Sequence, residues 1–591
     1  MEVTLLNIVE ILKKYLPQDN MPEILYDSPE TNFTYNEKRQ IFNIYYQFRP
    51  TAIVFCTNTE QVSAVMQCIK KYNYKGILRV LSGGHDHEGE CSATDSLLID
   101  LSGMKTVDIR AEKNYAIIQP GIRFIDLIKQ MNAKNVGLPH GTCFSVRIAG
   151  YSFGGGWGPW TRQKGMGCES LAGVTIVLGD GSYKSIIDNK LIPVYEGKPV
   201  KDLNEADRKL LWALRGGGGM SYGIVTELIY KTFTLPDYTT KFTIAWDQKF
   251  SKVTAPAIDI LKRWEELINY DVKKDLLGTN LKIVAKPKDE KAQTPVEKSL
   301  HDCYFYGYYM GTKKQFNSQA AFEKQIEEMI IKDWFPKKQF GEYKICFEDS
   351  IEAALSNNTT DGAATKLMAV PDKNKRSWSS FSAWDRIVNW DTDHHKNPVL
   401  EGIYHTAALP HHFQAIPPEI DLPAPHKITS RFASTTNDKA LAELRRKKLI
   451  ESMESNLLYA EGAKQGLVTY FTLGAISGEY YKNYDYKGNT FPQGSSFPYK
   501  GCNYTIQYQV WWNNDGVDNT LVHPYVNRAL DWLEACRDYD IPATYGAFIS
   551  FKDDSIPTKV YFQDSYDRLK EIKENYSKDP DNVLSSRKTI I

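Results

Sequence analysis

The chain has 591 residues, of which 42% are hydrophobic and 24% are charged. This composition excludes disordered, fibrous and disulfide-stapled small proteins, and at roughly 150 residues per domain it predicts two or more packed domains. Because 72 lysines and arginines balance 72 aspartates and glutamates, the chain lacks the basic excess typical of nucleic-acid-binding proteins, and no nucleic-acid partner is expected.

Other sequence patterns concern location. No run of about 18 apolar residues occurs, so no membrane partner is expected. Charged residues recur at helical spacing from Met1 to Lys14, which predicts an amphipathic helix. No basic region precedes the apolar residues there, so no secretory signal is expected. Nine cysteines without a CxxC pair favour a reducing compartment. We expect a cytoplasmic monomer or homodimer, with secretion as the alternative.

Helical and strand patterns alternate in the first part of the chain. Thr57 and Glu60 form a predicted capping box that opens an amphipathic helix. Strand patterns follow at 77–81 and 115–119, and a second amphipathic helix begins near Phe124. This alternation predicts an α/β fold for the region.

Glycine density marks the next part of the chain. Residues 137–181 and 211–226 are rich in glycine, and after residue 236 the glycines become fewer while longer helical patterns begin, as at 260–268. A domain boundary near residue 236 is therefore predicted. Another amphipathic helix is predicted at 566–576, close to the end of the sequence.

Three glycine-rich segments carry the chemical signal: Ser82 to Gly89, Gly141 to Gly158, and Arg215 to Gly219. Glycine runs expose main-chain N–H groups and permit positive φ angles, so they can surround the oxygens of a pyrophosphate. A dinucleotide is thus the expected ligand. The GxGxxG spacing of an ordinary Rossmann site is missing, which argues against that fold.

Together these segments resemble the FAD-linked oxidases of the vanillyl-alcohol-oxidase and p-cresol-methylhydroxylase (PCMH) superfamily. Within it they resemble the berberine-bridge-enzyme-like branch, which includes oligosaccharide oxidases. That branch joins its flavin covalently to a histidine in a Ser-Gly-Gly-His-x-x-Glu-Gly stretch and to a cysteine in a Gly-x-Cys-x-x-Val stretch. The matching residues are His85 and Cys143, so the resemblance implies bicovalent FAD. The segments at 211–226, 497–511 and 561–583 also resemble parts of this branch.

The resemblance implies a fold that combines α/β and α+β parts. A PCMH-type FAD-binding domain is expected over 1–236, with its core at about 46–236. A substrate-binding domain over 237–536, built on an antiparallel sheet covered by helices, is expected to be inserted. A C-terminal return to the FAD domain is expected over 537–591.

The chemistry of the two attachment residues supports this expectation. A neutral imidazole and a thiolate are nucleophiles near neutral pH, whereas either residue alone would be interpreted as a packing residue. His87 lies two residues after His85 and competes as the attachment point, but the family position favours His85 and leaves His87 as a neighbour that tunes it. The resemblance implies FAD contacts from the following residues: His85, Cys143, Ser82, Gly83, Gly84, Gly89, Val146, Gly150, Gly154, Gly155, Gly156, Trp157, Gly158, Gly223, Ile224 and Val225.

The implied reaction is oxidation of an alcohol on a carbohydrate or natural-product small molecule. A hydride would pass to the flavin while a base accepts the hydroxyl proton. Oxygen would reoxidise the flavin, and the small Val146, three residues after Cys143, favours an oxidase over a dehydrogenase. The alternative function is a flavoprotein of the same fold that catalyses oxidative or non-redox cyclisation in natural-product biosynthesis.

The chain departs from the family pattern at the residue that serves as the base. In many relatives it is a tyrosine in a Tyr-x-Asn-Tyr-Arg-Asp stretch, whereas Phe548 and Phe551 occupy both tyrosine positions here, and a phenyl ring accepts no proton. Gln507 matches a substrate-facing position but is too weak a base. The candidate catalytic residues are Gln507, Tyr504, Tyr508 and Tyr151, with a packing role as the alternative for each tyrosine.

Two rival interpretations remain. Several histidines and aspartates suit zinc or iron, but their spacing matches no compact motif, so no metal is expected. The Arg215 to Gly219 run could contact RNA, yet apolar residues flank it. The candidate metal ligands of the first interpretation are Asp391, Asp393, His394, His395, His405, His411 and His412.

Overall fold

The computed structural model describes residues 8–143, 145–248, 252–269, 275–289, 294–347, 424–464, 467–512 and 524–591. Its strands form three main sheets, and helices cover them. None of the helices in these ranges has both the length and the apolar character needed to cross a membrane.

The first sheet has four strands and is mainly parallel. The helix Thr59–Lys71 joins two of its strands and buries its apolar face. Asn58, not Thr57, caps this helix, because the Asn58 side chain accepts a hydrogen bond from the Gln61 N–H. In order across the sheet, the strands are Glu23–Leu25, Ala52–Phe55, Ser96–Asp100 and Ile77–Leu81.

The second sheet has five antiparallel strands. The helices Phe124–Ala133, Ile148–Phe153, Glu205–Leu214 and Tyr566–Tyr576 pack on it and bury the second core of the molecule. The predicted helix at 566–576 is thereby confirmed. In order across the sheet, the strands are Val107–Arg110, Tyr115–Ile118, Ile224–Lys231, Leu171–Val177 and Tyr183–Ile187.

The third sheet has eight strands, all antiparallel. The helices Ala257–Asn269, Gln319–Met329, Lys439–Glu451 and Pro524–Asp538 cover one face and form the largest core with it. In order across the sheet, the strands are Lys344–Phe347, Tyr238–Trp246, Cys303–Gly311, Leu276–Val284, Val468–Ala475, Cys502–Trp511, His426–Ser434 and Thr544–Tyr545.

Shorter elements connect these layers. Two-residue strands pair Val136–Gly137 with Phe233–Thr234, Val194–Tyr195 with Lys198–Pro199, and Lys286–Pro287 with Glu454–Ser455. The other α-helices within the described ranges are Ile8–Tyr15, Asn32–Lys38, Thr161–Lys164, Lys337–Phe340, Ala460–Lys464, Glu479–Lys482 and Thr558–Phe562.

Candidate functional site

A cavity of about 470 Å³ lies between the glycine-rich loops and the uncovered face of the eight-stranded sheet. Residues of 82–87, 141–157 and 218–225 form one side, here called the loop wall. Side chains of the eight-stranded sheet form the other side, here called the sheet wall. The main side chains of the sheet wall are Lys241, Asn280, Lys282, Tyr306, Tyr308, Tyr470, Thr472, Gln507 and Gln509.

The loop wall begins at a strand end of the first sheet. Ser82 follows the strand Ile77–Leu81 directly, and the carboxyl ends of parallel strands are where such sheets bind ligands. The second loop leads into the helix Ile148–Phe153, and the third leads into the strand Ile224–Lys231. The three loops therefore meet because the end of one strand, the start of a helix and the start of another strand all lie at the cavity.

His85 and Cys143 both line this cavity. The His85 ring stacks on Phe42 with centroids 4.0 Å apart, and its Nε2 lies 2.9 Å from the Ser145 hydroxyl oxygen. Burial, with smaller contributions from Arg147 and His87, lowers the pKa of His85 well below its usual range. The imidazole is therefore neutral near pH 7, the state in which it is a nucleophile.

Cys143 differs from most other cysteines of the chain. Its side chain is partly exposed on the cavity wall, whereas Cys56, Cys68 and Cys502 are buried. Burial raises the pKa of Cys502 to about 12, which keeps that thiol protonated and unreactive. Cys143 is therefore one of few thiols in the described chain that a bound molecule could reach.

Two glycines of the loop wall have backbones that a side chain would strain. Gly84 has φ +69°, and Gly156 has φ +83°. A Cβ atom on Gly156 would lie 2.6 Å from the Tyr151 ring. These glycines keep the loops close together and leave the main chain open towards the cavity.

Most predicted cofactor contacts lie on the cavity wall. Gly89, Gly155 and Gly158 do not. They pack against other parts of the chain instead: a Cβ on Gly158 would lie 1.7 Å from the His140 carbonyl oxygen. Besides His85 and Cys143, the predicted residues on the wall are Ser82, Gly83, Gly84, Val146, Gly150, Gly154, Gly156, Trp157, Gly223, Ile224 and Val225.

The structure separates the candidate catalytic residues on the last long strand. Gln507 lies on the sheet wall, and its amide donates to the Thr505 hydroxyl at 3.0 Å. Tyr504 and Tyr508 point to the helix-covered face, where their hydroxyls lie 2.5 Å from a Glu265 carboxylate oxygen and 2.7 Å from the Ser452 hydroxyl oxygen. These two tyrosines therefore do not reach the cavity and are unsuited to act as its base.

Tyr151 lies on the loop wall but is also a poor base. Burial raises the pKa of Tyr151 well above its usual range, so its phenol stays protonated. Its hydroxyl is buried without a hydrogen-bond partner among the described residues. Such an unsatisfied polar group next to a cavity is typical of a site that receives a ligand.

Sequence reasoning missed most of the sheet wall. Lys282, Thr472 and Gln507 are side by side in register on three neighbouring strands. The Tyr470 hydroxyl donates to the Gln509 amide oxygen at 2.9 Å, and the Lys282 ammonium lies 3.8 Å from the Tyr470 ring centroid. Alternation along each strand could have indicated which residues share a face, but not which strands are neighbours.

The C-terminal part of the chain closes the cavity between the two walls. Phe548 and Phe551 line it, and the Lys552 ammonium lies 2.5 Å from an Asp86 carboxylate oxygen. Burial opposes ionisation of Asp86, but the ion pair with Lys552 outweighs it and lowers the pKa of Asp86. The ion pair fastens the C-terminal segment to the loop that carries His85.

Arg147 and Arg215 are both buried. Arg147 lines the cavity and donates from Nε to the Gly121 carbonyl at 2.7 Å. Arg215 donates to Leu171 O and pairs with Asp188 at 3.0 Å. A buried, ion-paired Arg215 does not present an RNA-binding surface.

The candidate metal ligands from Asp391 to His412 lie outside the described residues. Within the described ranges, no group of three or more His, Cys, Asp or Glu side chains is arranged to hold a metal ion.

Two family models match this chain. One, described as FAD binding domain, matches residues 50–186, and the other, described as Berberine and berberine like, matches residues 547–591. The first includes His85 and Cys143, and the second includes the segment that closes the cavity. The resemblance to the berberine-bridge-enzyme-like FAD-linked oxidases is confirmed.

Individual relatives agree with this. Berberine bridge enzyme-like 11 of Arabidopsis thaliana is 27% identical over 285 residues, which cover 46% of this chain and 50% of the relative. The chain spans half or less of the lengths of the first curated relatives that it matches.

Solved structures share the fold over nearly the whole chain. Physcomitrella patens BBE-like 1 matches with a TM-score of 0.64 at 18% identity, covering 100% of this chain and 99% of that chain. Glucooligosaccharide oxidase from Acremonium strictum, whose FAD is described as 6-S-cysteinyl and 8α-N1-histidyl, matches with a TM-score of 0.64 at 19% identity and covers 99% of both chains. The mixed helix and sheet fold class predicted from the sequence is therefore confirmed.

The residues of the loop wall fit FAD. Glycines of all three loops line the cavity, where the lack of a side chain permits close approach of a ligand to the main chain, and the buried Tyr151 hydroxyl has no partner among the described residues. His85 and Cys143 add two nucleophilic side chains to the same cavity. Main-chain donors suit the pyrophosphate, while the two nucleophiles suit the flavin ring.

Proposed function

We propose that this protein is an FAD-dependent oxidoreductase that oxidises an alcohol on a carbohydrate or natural-product small molecule. One observation carries the proposal: His85 and Cys143 line the same glycine-bordered cavity. We further propose that both residues bind the flavin covalently and that O2 is the electron acceptor.

The surroundings of His85 support its attachment through Nδ1. The Ser145 hydroxyl lies 2.9 Å from Nε2, so Nδ1 is the nitrogen left to form a bond. Bound FAD would supply the hydride acceptor of the reaction. The chain itself would hold the flavin ring between His85 and Cys143. The Phe42 ring, which stacks on His85, would help to exclude water there.

The side chains of the sheet wall support the proposal that the substrate is polyhydroxylated. Tyrosine rings, here Tyr306, Tyr308 and Tyr470, offer apolar faces that suit the C–H faces of sugar rings, and their hydroxyls can bond to substrate hydroxyls. The amides of Gln507 and Gln509 both donate and accept hydrogen bonds. Small Val146 on the loop wall supports access of O2 to the flavin.

The second candidate function, cyclisation by a flavoprotein of the same fold, also has support. Phe548 and Phe551 line the cavity in the segment where relatives carry a tyrosine base. A site without that base suits a substrate that needs no hydroxyl deprotonation. Flavin reduction by simple alcohols would separate the two candidates. Such alcohols would reduce the flavin of an alcohol oxidase, whereas the flavin of an oxidative cyclase would be reduced only by its own substrate and that of a non-redox cyclase by neither.

The attachment is tested by the intact mass of the purified protein after acid denaturation. We expect one added FAD in the wild type, and FAD held through a single bond in His85→Ala and in Cys143→Ala. The double variant should release all its FAD into the supernatant. A colourless wild-type pellet with free FAD would remove the covalent attachment but keep the FAD site.

Two other residues that line the cavity serve as matched controls. Cys91 is partly exposed on the cavity wall, and burial raises the pKa of its thiol to about 12, so Cys91→Ala should retain both bonds. His87→Ala tests the competing attachment point in the same way. Alcohol oxidation itself is tested with a panel of oligosaccharides and natural-product alcohols by peroxide release and flavin bleaching.

A further inference from the structure

Two histidines, the partly buried His87 and the buried His426, contact each other where the loop that carries His85 meets the eight-stranded sheet. His87 Nδ1 lies 2.8 Å from His426 Nε2, and His426 Nδ1 lies 2.7 Å from the Ala424 carbonyl oxygen. His426 stands at the first position of a strand of the eight-stranded sheet. The pair therefore joins the loop wall to the sheet.

The hydrogen bonds fix the tautomers of both rings. A carbonyl oxygen only accepts, so His426 Nδ1 must carry the proton that bonds to Ala424. Burial lowers the pKa of His426 well below its usual range, which leaves the ring neutral and its Nε2 without a proton. His87 Nδ1 must then donate to that nitrogen, and His87 Nε2 is left as an unprotonated acceptor.

Several contacts hold the pair in place. The Asn43 amide donates to the carbonyls of His87 and His426 at 2.6 and 3.0 Å, and it accepts from the His426 N–H at 3.2 Å. The His426 ring stacks on Trp511 with centroids 3.9 Å apart, and the His87 ring stacks on Phe551 at 5.4 Å. Such a site keeps one orientation of the His87 ring.

His87 is also one of the residues that line the cavity, together with His85, Cys143 and Gln507. Among the described residues, His87 Nε2 has no hydrogen-bond partner. An acceptor nitrogen is thus present in a site whose expected tyrosine base is replaced by Phe548 and Phe551.

Burial keeps His87 neutral over the physiological range. Burial lowers the pKa of His87 to about 4; the neighbouring Asp86 opposes this shift, and the Lys552 ammonium adds to it. The other titratable groups against the pair are His85 and Lys427, which also disfavour a charged His426. The His87 ring is therefore neutral near pH 7 and has a nitrogen lone pair with which to accept a proton.

We propose that His87 is the proton acceptor of the alcohol oxidation and that His426 is its positioning residue. This inference rests on the proposed function. The substrate O–H bond breaks, and its proton goes to His87 Nε2. The C–H electron pair leaves with its hydrogen as a hydride to FAD, so the alcohol becomes a carbonyl and FAD is reduced by two electrons. The His87 proton then returns to solvent.

Anaerobic flavin bleaching by the best alcohol of the panel tests His87. We expect His87→Gln to keep its full complement of FAD and to slow bleaching by about 10²- to 10⁴-fold, the usual contribution of a general base. His301→Gln is the matched control, because His301 Nδ1 likewise lies 2.8 Å from an acceptor, the Val284 carbonyl oxygen, but His301 does not line the cavity. It should bleach at the wild-type rate.

The pH dependence of bleaching tests His426. The wild-type rate should be constant above the pKa of His87, about 4, and fall below it as His87 binds a proton. His426→Ala opens space for water beside His87, so the pH at which the bleaching rate falls should become higher. In His426→Gln, the amide oxygen can accept a hydrogen bond from His87 Nδ1, so this pH should return towards the wild-type value. A packing role alone would lower the stability without moving this pH.

A measurement on the histidines themselves gives a readout that does not depend on turnover. In the holoenzyme with ¹⁵N-labelled histidine, the signals lost in His87→Gln should show a protonated Nδ1 and an unprotonated Nε2 between pH 5 and 8. The opposite tautomer would overturn the proposal, as would equal bleaching rates in wild type and His87→Gln.

Failure of the proposed function gives a different pattern. If no alcohol bleaches the wild-type flavin although FAD is bound, alcohol oxidation fails and the role of His87 as its base fails with it. If alcohols bleach wild type and His87→Gln equally, the oxidation stands and only the role of His87 is overturned.

Discussion

The two walls of the cavity are built in different ways. The loop wall consists of short continuous stretches, such as Ser82 to His87, in which main-chain conformation does most of the work. The sheet wall consists of single side chains from strands that are far apart in the sequence, such as Lys282, Thr472 and Gln507. The first wall suits a constant ligand, and the second can vary with the substrate one side chain at a time.

The largest effect is expected from a substitution that distorts the loop wall. Gly156→Val places a branched side chain at φ +83° and against the Tyr151 ring, so we expect most bound FAD to be lost, as measured by flavin absorbance. Gly197→Val is the matched control, because Gly197 has φ +80° and nothing within 4 Å of its Cβ position. Retention of FAD by Gly156→Val would show that the loop wall does not hold the cofactor.

The next largest effect is expected from a substitution that removes the ion pair between the C-terminal segment and the loop wall. Lys552→Met leaves the Asp86 carboxylate buried without its cation, and we expect the free energy of unfolding to fall by roughly 3 to 5 kcal/mol. Urea unfolding at pH 7 measures this change.

The sign of the pH dependence follows from the lowered pKa of Asp86. Its contribution is present above the unfolded pKa of about 4 and is lost as pH falls through the folded value. The difference between wild type and Lys552→Met should therefore shrink in acid. A difference that stays constant from pH 7 to pH 3 would contradict the ion pair.

A smaller effect is expected on the sheet wall. Gln507→Leu should leave the FAD content unchanged and raise KM for the alcohol roughly tenfold, since a lost hydrogen bond of about 1.4 kcal/mol corresponds to that factor. Tyr508→Phe changes the helix-covered face of the same strand and should leave KM unchanged. Loss of FAD from Gln507→Leu would show that the two walls do not have separate tasks.

The smallest effect is expected for Tyr504→Phe. The Tyr504 hydroxyl bonds to Glu265, which Arg445 and Arg446 also contact at 3.2 and 2.8 Å. We expect a loss of about 1 kcal/mol in unfolding free energy and unchanged bleaching kinetics. A large fall in the bleaching rate would return Tyr504 to the candidate bases.

The same contrast explains what could be predicted from the sequence. His85 and Cys143 lie in continuous motifs, and alternation along a single strand is enough to put Gln507 on the face opposite Tyr504 and Tyr508, where the structure has it. Tyr470 could not be predicted as part of the site, because its place depends on strand order and register between distant segments.

The histidine pair shows the same difficulty in a stronger form. His87 and His426 are 339 positions apart, and no local pattern connects them. Only the tertiary structure brings the strand end at His426 to the loop after Ile77–Leu81.

The C-terminal segment also determines when the cavity can form during synthesis. Phe548, Phe551, Lys552 and Lys588 all line it, so a nascent chain still on the ribosome lacks part of the enclosure until these residues have emerged. The loops that carry His85 and Cys143 are translated hundreds of residues earlier. We therefore expect the cofactor to be held stably only after the closing segment has been synthesised, and chains truncated before it to be released as apoprotein.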